Sequence, residues 1–125
     1  MNADSSLPVV VLGASPKPER YSNKAVVALL QHGHEVIPVH PAVREIEGLE
    51  VLPELGEIAE PVDTVTVYLG PARSSALSEG LLALNPRRVI LNPGAENPEL
   101  ASALEASGIE VEEACTLELL ASGQF

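Results

Sequence analysis

The sequence predicts a doubly wound α/β domain of the Rossmann type, in which a parallel sheet of about five strands carries helices on both faces. Short aliphatic runs alternate along the chain with segments whose apolar residues recur at helical spacing. The aliphatic runs are continuous, as is typical of strands buried on both faces. Aromatic residues make up only 2% of the chain. We therefore expect an aliphatic core in which helices pack on β-branched strands.

The strands are expected to follow one another in the spatial order 2-1-3-4-5. The predicted strands cover residues 9–12, 35–39, 63–69, 88–91 and 109–112. A strand–helix–strand crossover is right-handed, so the first two strands should lie parallel. Pro38 lacks a ladder donor, which places the second strand near a sheet edge. A short strand near Val51 is expected outside it.

Helix boundaries are indicated by capping residues. The predicted helices begin near residues 22, 74, 97 and 116 and end near residues 31, 84, 107 and 122. Gly33 and Gly108 are expected to end the first and third helices in the left-handed conformation. Asn97-Pro98-Glu99 has the composition of a helix start. Between residues 42 and 61 the pattern weakens to a turn, a short strand and one or two helical turns.

Length and charge restrict the class of protein. The 125 residues are enough for one domain, predicted over residues 7–125 behind a loose tail at residues 1–6. The formal charge of −11 argues against nucleic acid or an anionic membrane surface as partner. No apolar window could span a bilayer, and the first residues do not resemble a secretion signal. We expect a cytoplasmic protein with a small nucleotide ligand, and we leave open a homodimer or a partner subunit.

The loop after the first strand is the strongest candidate for a ligand site. It runs from Gly13 through small residues and prolines to a helix start at Ser22-Asn23. Backbone N–H groups at such a helix start, together with the helix dipole, bind anions. Lys17, Arg20 and Lys24, three of the seven basic residues, lie in or beside this loop. The alternative is a plain connection whose basic residues serve solubility.

The predicted strand order places this loop at a ligand-binding crevice. The order reverses between the first and third strands, and ligands of such sheets bind there, beyond the carboxyl ends of the strands. The segments expected to line the crevice are residues 13–23, 40–44, 69–74 and 92–94.

Two common nucleotide-binding motifs are absent. The segment Gly13–Pro18 lacks the second and third glycines of a Gly-x-Gly-x-x-Gly loop, and no acid follows Val39 to hold a ribose. No Gly-Lys-Ser/Thr sequence occurs, which excludes a Walker-type phosphate loop.

Four segments together resemble the small single-domain coenzyme A-binding proteins, which are similar to the nucleotide-binding domain of the succinyl-CoA synthetase α-subunit. The segments are Gly13–Arg20, Ser22–Lys24, Gly33–Pro41 and Ile46–Gly48. The resemblance implies that the first loop and helix start hold the pyrophosphate of coenzyme A or an acyl-CoA. It also implies that the segment after the second strand flanks the adenosine.

The chain departs from this family at three places. It has His40-Pro41 where Asn-Pro is usual, and Arg44 is the nearest substitute for a lysine that the family often carries one residue after that proline. Leu69-Gly70-Pro71 replaces Arg-Pro-Pro, and Asn92-Pro93-Gly94 stands where the family tends toward Trp and Gln. The ligand-binding residues that we predict are Gly13, Ala14, Ser15, Pro16, Lys17, Arg20, Ser22, Asn23, His40, Pro41, Arg44, Leu69, Gly70, Asn92 and Gly94.

We predict no catalytic or metal-ligating residues. His32 and His34 flank a capping glycine, where solvation is expected, and Cys115 is expected to be a buried structural thiol. Three functions remain open. The chain is a non-catalytic coenzyme A or acyl-CoA binding module, which we favour, or part of an enzyme whose partner supplies the catalytic groups, or a structural domain that has lost its ligand.

Overall fold

The computed structural model describes residues 7–125, so the predicted tail at residues 1–6 lies outside the described residues. The elements are, in chain order, β1 (Val9–Leu12), α1 (Tyr21–Gln31), β2 (Val36–Val39), β3 (Glu45–Ile46), β4 (Leu49–Glu50), a 3-10 turn (Leu55–Glu57), β5 (Thr64–Val67), α2 (Pro71–Ser75), α3 (Ser78–Leu84), β6 (Arg88–Leu91), α4 (Pro98–Ala106), β7 (Glu110–Glu113) and α5 (Thr116–Ser122).

Five of the strands form one parallel sheet in the order β2-β1-β5-β6-β7. Leaving out the small hairpin β3–β4, this is the predicted order 2-1-3-4-5, which is therefore confirmed. Every residue of β1, β2, β5 and β6 is buried, as the continuous apolar runs indicated.

Helices cover both faces of the sheet. On one face, Val26 and Leu29 of α1 and Leu120 of α5 pack against the side chains of β1 and β2 that point to that face. Together they form one hydrophobic core. On the other face, Leu81 of α3 and Leu104 of α4 pack on the alternate residues of the strands. The doubly wound architecture is confirmed.

The edge position of β2 follows from Pro38. The backbone N–H of Leu52 donates to the Pro38 carbonyl at 3.0 Å, and the N–H of His40 donates to the Leu52 carbonyl at 3.0 Å. The nitrogen and the carbonyl of one strand residue point to the same side of the strand. The Pro38 nitrogen, which has no hydrogen to donate, therefore faces away from β1, toward Leu52. The short strand expected near Val51 is a single parallel bridge between Val39 and Leu52.

A two-residue hairpin turn joins β3 to β4, where the sequence predicted only a turn and one short strand. Glu47 and Gly48 both have positive φ, +52° and +78°, as a type I′ turn requires. Ile46 just before the turn is fully buried, so the hairpin is anchored to the α1 face of the core.

Several predicted boundaries are wrong. The third strand, predicted over residues 63–69, is shorter and covers Thr64–Val67. The helix expected over residues 74–84 is instead two helices, α2 and α3. The first of them already begins after Gly70, at Pro71, and the side chain of Asn97 stabilises it by hydrogen bonds. The Asn97 Nδ2 donates to the Pro71 carbonyl at 3.2 Å and to Ser74 Oγ at 2.9 Å. The last strand begins at Glu110, since the Ile109 N–H still bonds to the Leu104 carbonyl of α4.

Candidate functional site

The loop after β1 is closed tightly onto its two neighbours. The N–H groups of Gly13 and Ala14 donate to the Val39 carbonyl of β2, at 3.2 and 3.3 Å. Gly13 has φ +86°, and a Cβ there would lie 2.8 Å from Leu69 Cδ2. The positive φ favours glycine, and the short distance shows that the loops that follow β1 and β5 meet at the point where the strand order reverses.

Two turns carry the chain from this contact to α1. The N–H of Lys17 donates to Ser15 Oγ at 3.1 Å, and the N–H of Arg20 donates to the Lys17 carbonyl at 3.1 Å. Pro16, Lys17 and Arg20 are exposed, whereas Ala14 is buried. The loop therefore presents its basic side chains to solvent above a fixed backbone.

Helix α1 begins without a side-chain cap. Arg20 is the N-cap residue, its backbone is extended, and the first helical hydrogen bond is donated by the Lys24 N–H to the Arg20 carbonyl at 3.1 Å. The N–H groups of Tyr21–Asn23 precede that bond and have no partner inside the helix. Ser22 and Asn23 are only 6% and 2% exposed. An 11-residue helix thus starts with free donors in a largely buried setting, which suits an anion.

The side chain of Asn23 in α1 forms hydrogen bonds with both the loop after β1 and the turn between β3 and β4. Its Nδ2 donates to the Ser15 carbonyl at 2.9 Å and to Glu47 Oε2 at 3.2 Å. The hairpin β3–β4 is thereby held beside the start of α1. The same bond brings the Glu47 carboxylate to the helix end that would receive an anion.

Five of the seven basic residues lie on segments that follow the carboxyl ends of strands. All five are exposed: Lys17, Arg20, Lys24, Arg44 and Arg73. The Nζ of Lys24 lies 5.3 Å from the centre of the Tyr21 ring. In a chain of net charge −11, this end of the sheet carries most of the positive charge.

The residues predicted after β2 lie in its connection to the hairpin. His40 is half-buried, and its Nδ1 accepts a hydrogen bond from the Ala42 N–H at 3.0 Å. Pro41 and Arg44 are exposed, and the Arg44 carbonyl accepts from the Val51 N–H at 2.9 Å. The side chain of Arg44 is left to solvent on the hairpin side of the site.

Asn92 is predicted as a ligand residue, but its amide is used inside the protein. Its Nδ2 donates to Thr66 Oγ1 at 2.7 Å and to the Val67 carbonyl at 2.9 Å. Its Oδ1 accepts from the Thr116 N–H at 2.9 Å, and the hydroxyls of Thr66 and Thr116 lie 2.7 Å apart. This buried network joins β5, β6 and the start of α5.

The remaining predicted residues frame the crevice. Leu69 is half-buried against Gly13, Gly70 is the exposed N-cap of α2, and Gly94 is exposed with φ +94°. The Gly94 N–H donates to Glu96 Oε1 at 2.9 Å, which fixes the turn after β6.

A cavity of about 320 Å³ opens beside the start of α1, and sequence reasoning missed most of its wall. It is lined by Tyr21, Tyr68, Asn92, Pro93, Cys115, Leu117 and Glu118. Burial raises the pKa of Tyr68 to about 12, although hydrogen bonds with Thr116 and Thr66 act to lower it, so the phenol stays protonated at neutral pH. The signal that could have pointed here is that both tyrosines of the chain occur in segments flanking the crevice.

Cys115 is half-buried in this wall rather than buried in the core, because the chain leaves β7 there and has not yet entered α5.

A larger cavity of about 550 Å³ lies at the other end of the sheet, between the 3-10 turn and α3. No basic residue lines it, so it is poorly suited to an anion. Within residues 7–125, no group of three or more His, Cys, Asp or Glu could hold a metal ion, and no helix is long and apolar enough to cross a membrane.

Comparison with known proteins agrees with this fold. The sequence model of the family described as CoA binding domain matches residues 8–121. The chain belongs to this family. This member of the CoA-binding domain family is 41% identical to an uncharacterized protein of known crystal structure. The two structures have a TM-score of 0.91, and the match covers 96% of this chain and 98% of that one.

Two further relatives extend the comparison. The uncharacterized protein YneT of Bacillus subtilis is 29% identical over 100 residues, which cover 80% of this chain and 74% of YneT. The dinucleotide forming acetyl-coenzyme A synthetase 1 of Ca. Korarchaeum cryptofilum, solved with phosphate and ADP, shares the fold with a TM-score of 0.74. At 18% identity the likeness concerns the fold alone, and it covers 88% of this chain but 26% of the synthetase.

Proposed function

We propose that this protein binds coenzyme A or an acyl-CoA at the carboxyl end of the sheet, without catalysing a reaction by itself. The observation that carries the proposal is the uncapped start of α1, directly after β1 and beside the reversal of strand order. A pyrophosphate there accepts hydrogen bonds from the N–H groups of Tyr21–Asn23 and is flanked by the exposed side chains of Lys17 and Arg20. Helix N-termini bind phosphate groups in this way.

The adenosine part lies toward the segment after β2 in this proposal. His40, Pro41 and Arg44 are next to the hairpin that Asn23 holds against α1. Arg44 is exposed and can pair with the 3′-phosphate, as a guanidinium does with phosphate groups. A reduced single cysteine and a nucleotide ligand suit a cytoplasmic protein.

A second candidate function is the nucleotide-binding part of a larger enzyme. The fold likeness supports it, because this chain matches 26% of an acetyl-coenzyme A synthetase and most of that enzyme lies outside the match. A partner chain that copurifies with this protein and confers acyl-CoA ligase activity would favour this candidate over a binding module.

Isothermal titration calorimetry of the wild type and two matched variants tests the binding site. Arg20→Gln removes one positive charge beside α1, and Ala103→Glu adds one negative charge at an exposed position of α4 on the other face of the sheet. Both variants have the same net charge. We expect Arg20→Gln to weaken coenzyme A binding at least about fivefold, as for a lost charge-assisted hydrogen bond of ~1 kcal/mol or more, and Ala103→Glu to bind like the wild type. Equal binding by both variants, or NAD binding as tight as coenzyme A binding, would overturn the proposal.

A further inference from the structure

The start of α1 and the 320 Å³ cavity share a residue. Tyr21 is the first residue of α1 and also forms part of the cavity wall, and the residue is 67% exposed. A ligand whose phosphates bind the first N–H groups of the helix therefore lies at the rim of the cavity.

The two sides of this helix start differ in chemistry. Toward the hairpin lie charged and polar groups, including the Glu47 carboxylate that is bonded to Asn23 and the exposed Arg44. Toward the cavity lie Tyr68, Leu117 and Pro93. The polar nucleoside of a ligand fits the hairpin side, and an apolar end fits the cavity side.

The buried amide in the cavity wall is already satisfied. The Asn92 Nδ2 donates to Thr66 Oγ1 and to the Val67 carbonyl, and its Oδ1 accepts from the Thr116 N–H. Both N–H bonds of this amide are used inside the protein, so the amide cannot donate to an occupant of the cavity. No basic residue lines the cavity, and Glu118 is its one carboxylate.

We propose that this cavity is a subsite for the thioester end of an acyl-CoA, and that it accepts short uncharged acyl groups and rejects acyl groups that end in a carboxylate. The proposal rests on the proposed function and adds a preference to it. An uncharged chain displaces water from Leu117 and Pro93, whereas a terminal carboxylate would lie beside the Glu118 carboxylate in a cavity that no basic residue lines. The preference is therefore for butyryl-CoA over succinyl-CoA.

The chain contains a single cysteine, Cys115, and it lies in the cavity wall, so its alkylation reports occupancy of the subsite. The experiment measures the rate of Cys115 carbamidomethylation by iodoacetamide, followed by mass spectrometry. The three ligands, none with a free thiol, are 3′-phosphoadenosine 5′-diphosphate, butyryl-CoA and succinyl-CoA. Calorimetry on the same samples gives the affinity of each ligand.

We expect the diphosphate to bind yet leave Cys115 reactive, and butyryl-CoA to slow alkylation at least tenfold at saturation. Succinyl-CoA is expected to bind at least fivefold more weakly than butyryl-CoA. Leu117→Trp, which fills the cavity, should remove the advantage of butyryl-CoA and keep the affinity for the diphosphate. Ala121→Trp, at an exposed position of the same helix, should change neither.

Two results of the wild-type experiment, which needs no variant to fold, would overturn the subsite. One is equal protection of Cys115 by the diphosphate and butyryl-CoA, and the other is equal affinity for the two acyl-CoA ligands. Failure of all three ligands to bind in calorimetry would instead overturn the proposed function itself.

Discussion

At the amino end of the sheet, Arg87 and Arg88 are built into the fold, whereas at the carboxyl end five basic side chains are exposed. Arg87 holds Asp63 by two bonds, from Nε at 2.7 Å and from Nη2 at 3.0 Å. Arg88 is 4% exposed, its Nε donates to Thr64 Oγ1 at 3.2 Å, and its guanidinium lies 4.6 Å from the centre of the Phe125 ring. Within residues 7–125, salt bridges to carboxylates are made by these two arginines alone.

The difference shows that residue type alone does not indicate a ligand site. Both ends of the sheet have arginines close to a strand. Arg87 and Arg88 form salt bridges with carboxylates of the protein, whereas Arg20 forms none within the described part of the chain. Arg87 and Arg88 stabilise the fold through Asp63, Thr64 and Glu112, although the Nη2 of Arg88 is buried without a hydrogen-bond partner among residues 7–125. Binding an anion requires donors that are both free and accessible to it. The predictions below compare these two ends.

The largest expected effect is on folding, from charge reversal of Arg88. Arg88→Glu would bury a carboxylate near Glu112, whose Oε1 now lies 3.6 Å from Arg88 Nη1, and would leave Thr64 and Phe125 without their cation. We expect the free energy of unfolding to fall by roughly 3 kcal/mol or more, as when a buried pair is broken. Arg20→Glu should change it by only ~0–1 kcal/mol. Urea denaturation of both variants measures the contrast, and similar losses would contradict it.

A smaller loss in the free energy of unfolding is expected when Asp63 is replaced, and this loss should depend on pH. Burial acts to raise the pKa of Asp63, but hydrogen bonds from Arg87 and Thr64 outweigh it and hold the pKa below the ordinary value of 3.8. A lowered pKa means that the stabilisation is complete above about pH 4 and is lost as pH falls through the folded-state pKa. We expect Asp63→Asn to be less stable than the wild type by about 1–3 kcal/mol at pH 7.

Urea unfolding at several pH values tests this sign. The difference between the wild type and Asp63→Asn should shrink as pH falls below about pH 4. His34 titrates in a separate window, because burial, with His32 and Arg88, lowers its pKa from 6.5 against the effect of Asp63. His34 therefore destabilises both proteins as pH falls below 6.5, and does so more in Asp63→Asn, where the opposing carboxylate is gone. A difference that does not shrink below about pH 4 would refute the assignment to Asp63.

At the carboxyl end, coenzyme A affinity should depend on salt. Exposed charges are screened over about 10 Å at 0.1 M salt and about 3 Å at 1 M, so binding should weaken several-fold as salt rises between these values. Arg20→Gln should show a shallower dependence, because one of the exposed cations is gone. Calorimetry at three salt concentrations gives both slopes, and identical slopes would exclude Arg20 from the site.

The smallest expected effect is a change in coenzyme A affinity when the charge of Glu47 is removed. Its carboxylate is held beside the start of α1 by Asn23 and opposes a bound pyrophosphate. Glu47→Gln keeps an oxygen to accept that bond and removes the charge, so coenzyme A affinity should rise about twofold to fivefold. Glu45→Gln removes the same charge from the exposed start of β3 and serves as the control. An equal gain in both variants would mean that only net charge matters.

Much of the fold could be predicted because its signals are local. Pro38 placed β2 at the edge, Asn97 marked the start of α4, and Gly33 and Gly108 marked helix ends with φ of +85° and +86°. The division of the predicted helix over residues 74–84 could not be predicted. It depends on hydrogen bonds from Asn97, more than 20 residues further along the chain.

For the site, sequence position indicated the loop and the basic residues but could not indicate which side chains were free. Asn92 follows a strand in the predicted crevice, yet its amide is engaged by Thr66 and Thr116. Whether a polar side chain is free depends on partners that packing brings to it from other segments.

The sequence by itself determined the doubly wound fold, the strand order and the small-residue loop that leads onto a helix start. Those features follow from apolar periodicity, right-handed crossovers and the backbone preferences of proline and glycine, which act within a few residues. Only the tertiary structure decided that Tyr21, Tyr68 and Leu117 share a cavity, and that Arg88 is buried while Arg20 is exposed. The reason is that these properties arise where distant segments pack together, and no local pattern specifies which side chains will meet there.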